Sequence, residues 1–596
     1  MKKLIIAFFI LLLVSGFAFA RGAQEVEIID IEEEEVVDEF EGIVSIVHDG
    51  WEQGKPGGRF VMSSFGSGPR SFNTIVAAET STTDITDRLY SGLVRRNQMT
   101  LDWEMSLAES YTISADEKTI TYKLKPDLKW SDGEPLTAAD FVDAVNLIYL
   151  DPEVQTNSRS ALMPSGIATE WEQLDDLTLS VTFPFVYAGI FNSTSVAPLP
   201  MHILRPIVDE QGAAALNAYW GVDTDVKSVV GNGPFVIDSY TPGQRAVLKK
   251  NPYYYEKDEW GVQLPYIDEL VFEFVPDTDT QLQRFLAGAL DFLAFTGDQV
   301  ALGLDRKDEV GFTLYSVGPA ASSQFITINQ NPNSPALADT PKLEWVSNRT
   351  FRQALAHLVD RQTMVDTIVY GYGYPQYSFI PVFSPYYWDG SPDFAFPYDP
   401  ERAKDMLDSI GYVDQNGDGW RQDPDGNKIS LDLKTNAGNA VREAMGELFS
   451  QDAREIGLDI TFQPEDFNVM VGRLLSSFDW ELILIGLTGS VDPISGANVY
   501  PSSGNLHMIE PLQESPRRAW EARVDELWDY ANNTTSEQQR VDGYREMQQI
   551  WIEEVPWVFT INAAVIHGWG NEWGNIYPHP VQGNNNLSIL HRVYQK

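Results

Sequence analysis

The chain has 596 residues, 86 Asp and Glu against 42 Lys and Arg, a formal charge of −44, and no cysteine. That charge argues against nucleic-acid binding, which relies on Lys and Arg at phosphates. The absence of cysteine excludes disulfides, thiolate metal sites, a catalytic thiol and a lipidated N-terminal cysteine.

At this length, with 43% hydrophobic and 12% aromatic residues, two or three packed domains are expected rather than a disordered chain. Met1-Lys2-Lys3, the apolar run Leu4 to Phe19 and the small residues of Ala18-Phe19-Ala20 have the form of a secretion signal over 1–20, cleaved before Arg21. A retained membrane anchor is the alternative, disfavoured by the short run and the acidic stretch behind it. Residues 21–41, with Glu32-Glu33-Glu34-Glu35, read as a solvated acidic linker, and globular sequence starts near Gly42.

Alternating apolar residues predict strands at Ile120-Tyr122-Leu124 and Leu177-Leu179-Val181-Phe183. Between them, Thr137 and Asp140 have capping-box spacing and open a helix with Phe141, Val142, Val145, Ile148 and Tyr149 on one face. Further strands are predicted at Leu270-Phe272-Phe274, Ile429-Leu431-Leu433 and Leu458-Ile460-Phe462. Asp399-Pro400 opens a second helix, with Ala403, Met406, Leu407 and Ile410 inward and Gly411 closing it. Ser515-Pro516 is predicted to open a third, carrying Trp520, Val524, Leu527 and Trp528. Leu482 to Leu487 is too short to span a membrane. There is no solenoid repeat and no Ser/Gly linker, so the class is α/β with segments that interleave.

Catalytic signals are sparse. No phosphate-cradling Gly-rich loop and no G-x-S-x-G turn occurs, the seven histidines include no pair at metal-ligand helix spacing, and no carboxylate pair is singled out. His357 sits in an apolar helix pattern and reads as packed. No enzyme activity and no cofactor are expected. Asp414-x-Asn416-x-Asp418-Gly419, with Asp425 at the twelfth place, has the ligand spacing of a calcium loop. The terminal Asp reaches less far than Glu, and an Asp/Asn/Gly turn between helix and strand accounts for the same residues, so both readings stay open.

Several phrases, in order, resemble the family 5 solute-binding proteins of ABC importers, which serve oligopeptide, dipeptide, nickel and some oligosaccharide uptake. They are Leu89-Tyr90-Ser91-Gly92-Leu93-Val94, Leu107-Ala108-Glu109-Ser110-Tyr111 and Trp130-Ser131-Asp132-Gly133-Glu134-Pro135-Leu136-Thr137-Ala138, then Gly231-Asn232-Gly233-Pro234-Phe235 and Asn251-Pro252-Tyr253-Tyr254. Phe351-Arg352-Gln353-Ala354, Asp360-Arg361 and Tyr398-Asp399-Pro400-Glu401-Arg402-Ala403-Lys404 continue the series. The resemblance implies a two-lobed periplasmic-binding-protein fold of type II with an extra inserted domain. Lobe I would hold 42–80, 232–325 and 555–596, the inserted domain 81–231, and lobe II 326–554. Hinges would lie near Gly231-Asn232-Gly233 and Ser322-Ser323-Gln324-Phe325.

The resemblance also implies a periplasmic, extracytoplasmic monomer, not membrane-spanning once the signal is removed, that closes on a small oligomeric solute and delivers it to permease subunits. Peptide-binding relatives place an aspartate for the peptide ammonium just before the Asp-Pro of a Gly-rich segment. Here that segment is Gly486-Leu487-Thr488-Gly489-Ser490-Val491-Asp492-Pro493, with Ser490 at the charged position unless Asp492 slides into it. A buried ammonium needs a counter-charge, so Ser490 favours a short cellobiose-type oligosaccharide, with an oligopeptide as the alternative. Candidate stacking residues are Trp388, Tyr386, Tyr387, Phe325 and Tyr500. Candidate polar contacts are Ser490, Asp492, Asn498 and Asn505, with backbone of the Ser67 to Asn73 segment at the lobe I edge.

Overall fold

The computed structural model describes residues 40–45, 50–97, 100–577 and 589–596. The predicted leader and nearly all of the acidic linker lie outside these. Among the described residues no helix is long and apolar enough to cross a membrane.

Among the described residues, four sheets of four or five strands organise the fold, beside two two-stranded ones. One has the order Arg59–Phe65, Glu269–Val275, Arg245–Lys250, Phe235–Thr241, its first pair parallel and the rest antiparallel. A second is centred on Ile561–Gly570, which pairs antiparallel with Phe292–Phe295, Phe312–Pro319 and Gly373–Pro375. A local antiparallel sheet runs Ala108–Ile113, Thr119–Leu124, Thr178–Thr182, Glu170–Asp175. The last has the order Asp459–Glu465, Ser430–Asn436, Leu482–Leu487, Ser323–Ile328, Trp557–Phe559. In it, Leu482 to Ile485 is buried residue by residue, the unbroken apolar run of a strand covered on both faces.

The chain passes between the second and last sheets at 319–323 and again at 559–561. The crossings are tied together: Asn562 Nδ2 donates to the carbonyls of Ala320 (2.7 Å) and Ser322 (3.1 Å), and Thr560 N–H donates to Gln324 O (3.1 Å). Ser323–Ile328 and Trp557–Phe559 both belong to the last sheet, although the expected lobe I ranges include Phe325 and 555–559. The glycines of Gly231-Asn232-Gly233 serve close approach. A Cβ on Gly231 would stand 2.1 Å from Leu89 O, and one on Gly233 2.6 Å from Tyr90 N, while Asn232 pairs with the backbone of Ser91.

The five predicted strands all form, as Thr119–Leu124, Thr178–Thr182, Glu269–Val275, Ser430–Asn436 and Asp459–Glu465. Helix Ala138–Ala144 carries the Thr137/Asp140 capping box, and Asp399 caps Pro400–Ser409 by accepting from Arg402 N–H. The third predicted helix starts later than Ser515-Pro516, as Ala519–Asn532. Glu521 sets its start by accepting from the Arg518 backbone N–H at 3.0 Å.

Glu521 is 1% exposed. Its carboxylate accepts from Arg518 Nη1 (2.7 Å), Gln513 Nε2 (3.1 Å) and His507 Nε2 (3.3 Å). Burial alone would raise this carboxyl; the His507 hydrogen bond and the Arg518 charge outweigh it and hold it at about 2, against an ordinary 4.5. A depressed acid contributes stability above the unfolded value and loses it as pH falls toward the folded one. About 3 kcal/mol should therefore disappear between pH 4.5 and 2. Denaturant titrations should show the stability gap between the wild type and Glu521→Gln narrowing across that window.

Candidate functional site

Where Leu482–Leu487 ends, residues of the loop through Ser490 to Gly496 line, together with Ala78-Glu79-Thr80, a cavity of about 260 Å³. Its walls are mainly apolar, with Phe379, Phe467, Leu474, Ile485, Tyr500 and Met508 among them. Thr488, Ser490, Ser495 and Asn498 supply hydroxyl and amide groups.

The charged wall is Arg442, in the first turn of helix Ala440–Glu455, where Asn439 caps the helix by accepting from the Arg442 N–H. Its guanidinium donates from Nε to Gln324 Oε1 (3.1 Å) and from Nη1 to Asn436 Oδ1 (2.7 Å). No carboxylate among the described residues pairs with it, and burial lowers it to about 10, so it remains charged at neutral pH. Gly486 makes room for it, since a Cβ there would stand 2.7 Å from Nη2. Glu79 lines the same cavity; it is 9% exposed, accepts a hydrogen bond from the Thr82 hydroxyl and makes no ion pair among the described residues. Ala78, Glu79 and Leu475 also line a second cavity of about 380 Å³.

Of the stacking candidates, only Tyr500 lines the first cavity, its ring 4.4 Å from that of Phe379. Phe325 is fully buried and stacked on Trp557 at 4.0 Å. Tyr386 is 5% exposed, under the Arg540 guanidinium and against Tyr544. The Tyr387 hydroxyl accepts from Ser391, and the Trp388 ring packs on Phe394. These four are held by aromatic and hydrogen-bond partners of their own, and none lines either cavity. Trp388→Ala should therefore leave solute affinity within about twofold of wild type by calorimetry, since it removes no cavity wall.

Ser490 and Asn498 line the first cavity. Asp492 is already paired: Arg540 Nη2 donates to its Oδ1 at 2.6 Å and Ile494 N–H at 3.1 Å, so it is no free partner for an ammonium. Ser67 accepts from Asn468 Nδ2, while Asn73, fully buried, donates to Leu216 O. Asn505 lines the second cavity and donates to Asn157 Oδ1.

In the acidic loop, Asp414 accepts from the N–H groups of Gly417, Asp418 and Gly419, Asn416 donates to Asp418, and Asp425 lies in a separate turn around Asp423. Among the described residues no three His, Asp or Glu side chains stand where they could share a metal. His357 is packed, its Nδ1 on Pro397 O at 2.7 Å.

Sequence reasoning missed Arg442 and Glu79. One signal was available, because a cation in the first turn of a helix opposes the helix dipole, an arrangement that calls for another reason.

The family model for bacterial extracellular solute-binding proteins, family 5 middle, matches residues 102–506. A probable ABC transporter-binding protein of Deinococcus radiodurans is 31% identical over 522 residues, covering 84% of this chain and 86% of that protein. The oligopeptide-binding protein AppA of Bacillus subtilis is 26% identical, covering 85% and 87%. Two solved structures share the fold. AppA with a nonapeptide has a TM-score of 0.78 at 23% identity, covering 91% of this chain and all of AppA. MelB of Agrobacterium fabrum with stachyose has a TM-score of 0.81 at 21% identity, covering 92% and 86%. The fold is therefore the two-lobed periplasmic-binding-protein type expected, and the chain belongs to the family 5 extracellular solute-binding proteins.

Proposed function

We propose that this chain is the periplasmic, monomeric receptor of an ABC importer that captures a short oligopeptide, holds it by its carboxylate, and hands it unaltered to the permease. The observation that carries this is Arg442, a charged guanidinium on the cavity wall that no carboxylate among the described residues pairs with. Closing over a neutral solute would leave that charge buried and uncompensated, whereas a ligand carboxylate neutralises it through charge-assisted hydrogen bonds. Glu79, likewise unpaired, suits an ammonium. Lobe movement about the tied crossings at 319–323 and 559–561 would close the site, and bound solute would shift the population toward the closed form.

A cellobiose-type oligosaccharide is the second reading, favoured by Thr488, Ser490 and Asn498 on the wall and by the pairing of Asp492 with Arg540. Thermal unfolding with Ala-Ala-Ala, its C-terminal amide, cellobiose and stachyose separates the two. Stabilisation by the free tripeptide, with little by its amide, is the expected result. Stabilisation by the sugars alone would overturn the peptide reading.

A further inference from the structure

The second cavity, which shares Ala78, Glu79 and Leu475 with the first, is lined by Arg70, Arg159, Asn157, Asn505 and other polar residues. Arg70 is exposed, and its guanidinium has no hydrogen-bond or ion-pair partner among the described residues. Arg159 holds the carbonyls of Asp151 and Val154 through Nη2, while its Nε is buried without a partner. Asp151 acts on Arg159 only through space, outside ion-pair distance. The two cavities, which share the wall of Ala78, Glu79 and Leu475, together present three guanidiniums, Arg442, Arg70 and Arg159, against the single lining carboxylate of Glu79. In a chain of formal charge −44 this is a local inversion of sign, and a cleft lined by one sign of charge concentrates solutes of the other. A zwitterionic peptide with uncharged side chains would satisfy Arg442 and Glu79 and leave two cations without an anion.

We propose that the second cavity is an acidic-side-chain subsite, in which Arg70 and Arg159 select peptides carrying a Glu or Asp in addition to the terminal carboxylate. This rests on the peptide reading above and names the class of peptide. Arg70 and Arg159 are specificity-determining residues in this account. The ligand carboxylate would replace water at the exposed Arg70 guanidinium, with Arg159 adding its positive charge at the cavity wall.

Calorimetric titration of the full chain with Ala-Ala-Ala, Glu-Ala-Ala, Ala-Glu-Ala and Lys-Ala-Ala tests it. At least one Glu peptide should bind about tenfold tighter than Ala-Ala-Ala, and Lys-Ala-Ala weaker than either. Arg70→Gln should reduce the Glu advantage to about threefold or less while leaving the Ala-Ala-Ala affinity unchanged. Arg159→Gln should act in the same direction; because Arg159 also holds two carbonyls, Arg70→Gln decides the matter if that variant does not fold. Equal affinities for Ala-Ala-Ala and both Glu peptides would overturn the subsite and leave the peptide reading standing, as would a Glu advantage that survives Arg70→Gln. Failure of every tripeptide to bind would overturn both.

Discussion

Arg442→Gln should abolish most of the affinity for a free tripeptide, weakening it by about a hundredfold or more, because removing one partner of a buried charge pair costs on the order of 2–5 kcal/mol. A glutamine amide stands where the guanidinium Nε does and can still meet Gln324, though not Asn436, while the cap from Asn439 to the backbone of residue 442 is untouched, so the helix start should survive. The empty protein should become no less stable, and even somewhat more so, since the wild type holds a partly buried guanidinium that no carboxylate among the described residues neutralises. Calorimetry and denaturant unfolding on the same two proteins give both readings. Binding lost together with stability would mean that Arg442 acts structurally. Binding retained within threefold would remove the main support for a carboxylate-bearing solute.

Trp551→Ala should cost about 3–5 kcal/mol, the range for deleting a fully buried large aromatic. Trp551 is fully buried on helix Glu537–Glu554, and its ring centroid lies 5.2 Å from Phe379, 5.3 Å from Trp557, 5.9 Å from Trp520 and 6.0 Å from Tyr500. Phe379 and Tyr500 are walls of the first cavity, and Trp557 backs Phe325 on the last sheet. Stability and solute affinity should therefore fall together, whereas Trp260→Ala, at a position 48% exposed, should change neither. A loss below about 1 kcal/mol, measured by urea unfolding, would show that the cluster collapses to refill the space.

Much of the fold was legible because local chemistry and global position agreed. Capping at Thr137 and Asp399 and the alternation at Leu431-Leu433 state their elements directly. The phrases around Trp130 and Gly231 were legible as family resemblance, although the tight contact of Gly231 and Gly233 with Leu89 and Tyr90 is a tertiary fact with no local trace. The site was less legible. Aromatic side chains are recognised by type, but whether Trp388 or Tyr386 meets solute or Phe394 and Arg540 depends on packing across long sequence separations. Asp492 looked available because its partner Arg540 is 48 residues away. Arg442 is illegible for the converse reason, since what distinguishes it is that no carboxylate among the described residues pairs with it in space.

The position of Ile561–Gly570 has a consequence for biogenesis. This strand is the shared neighbour of Phe292–Phe295, Phe312–Pro319 and Gly373–Pro375, yet it follows the last of them by nearly two hundred residues. A nascent chain must be made through residue 570 before those three strands find their common mate, so this sheet closes only after the segments between them have emerged.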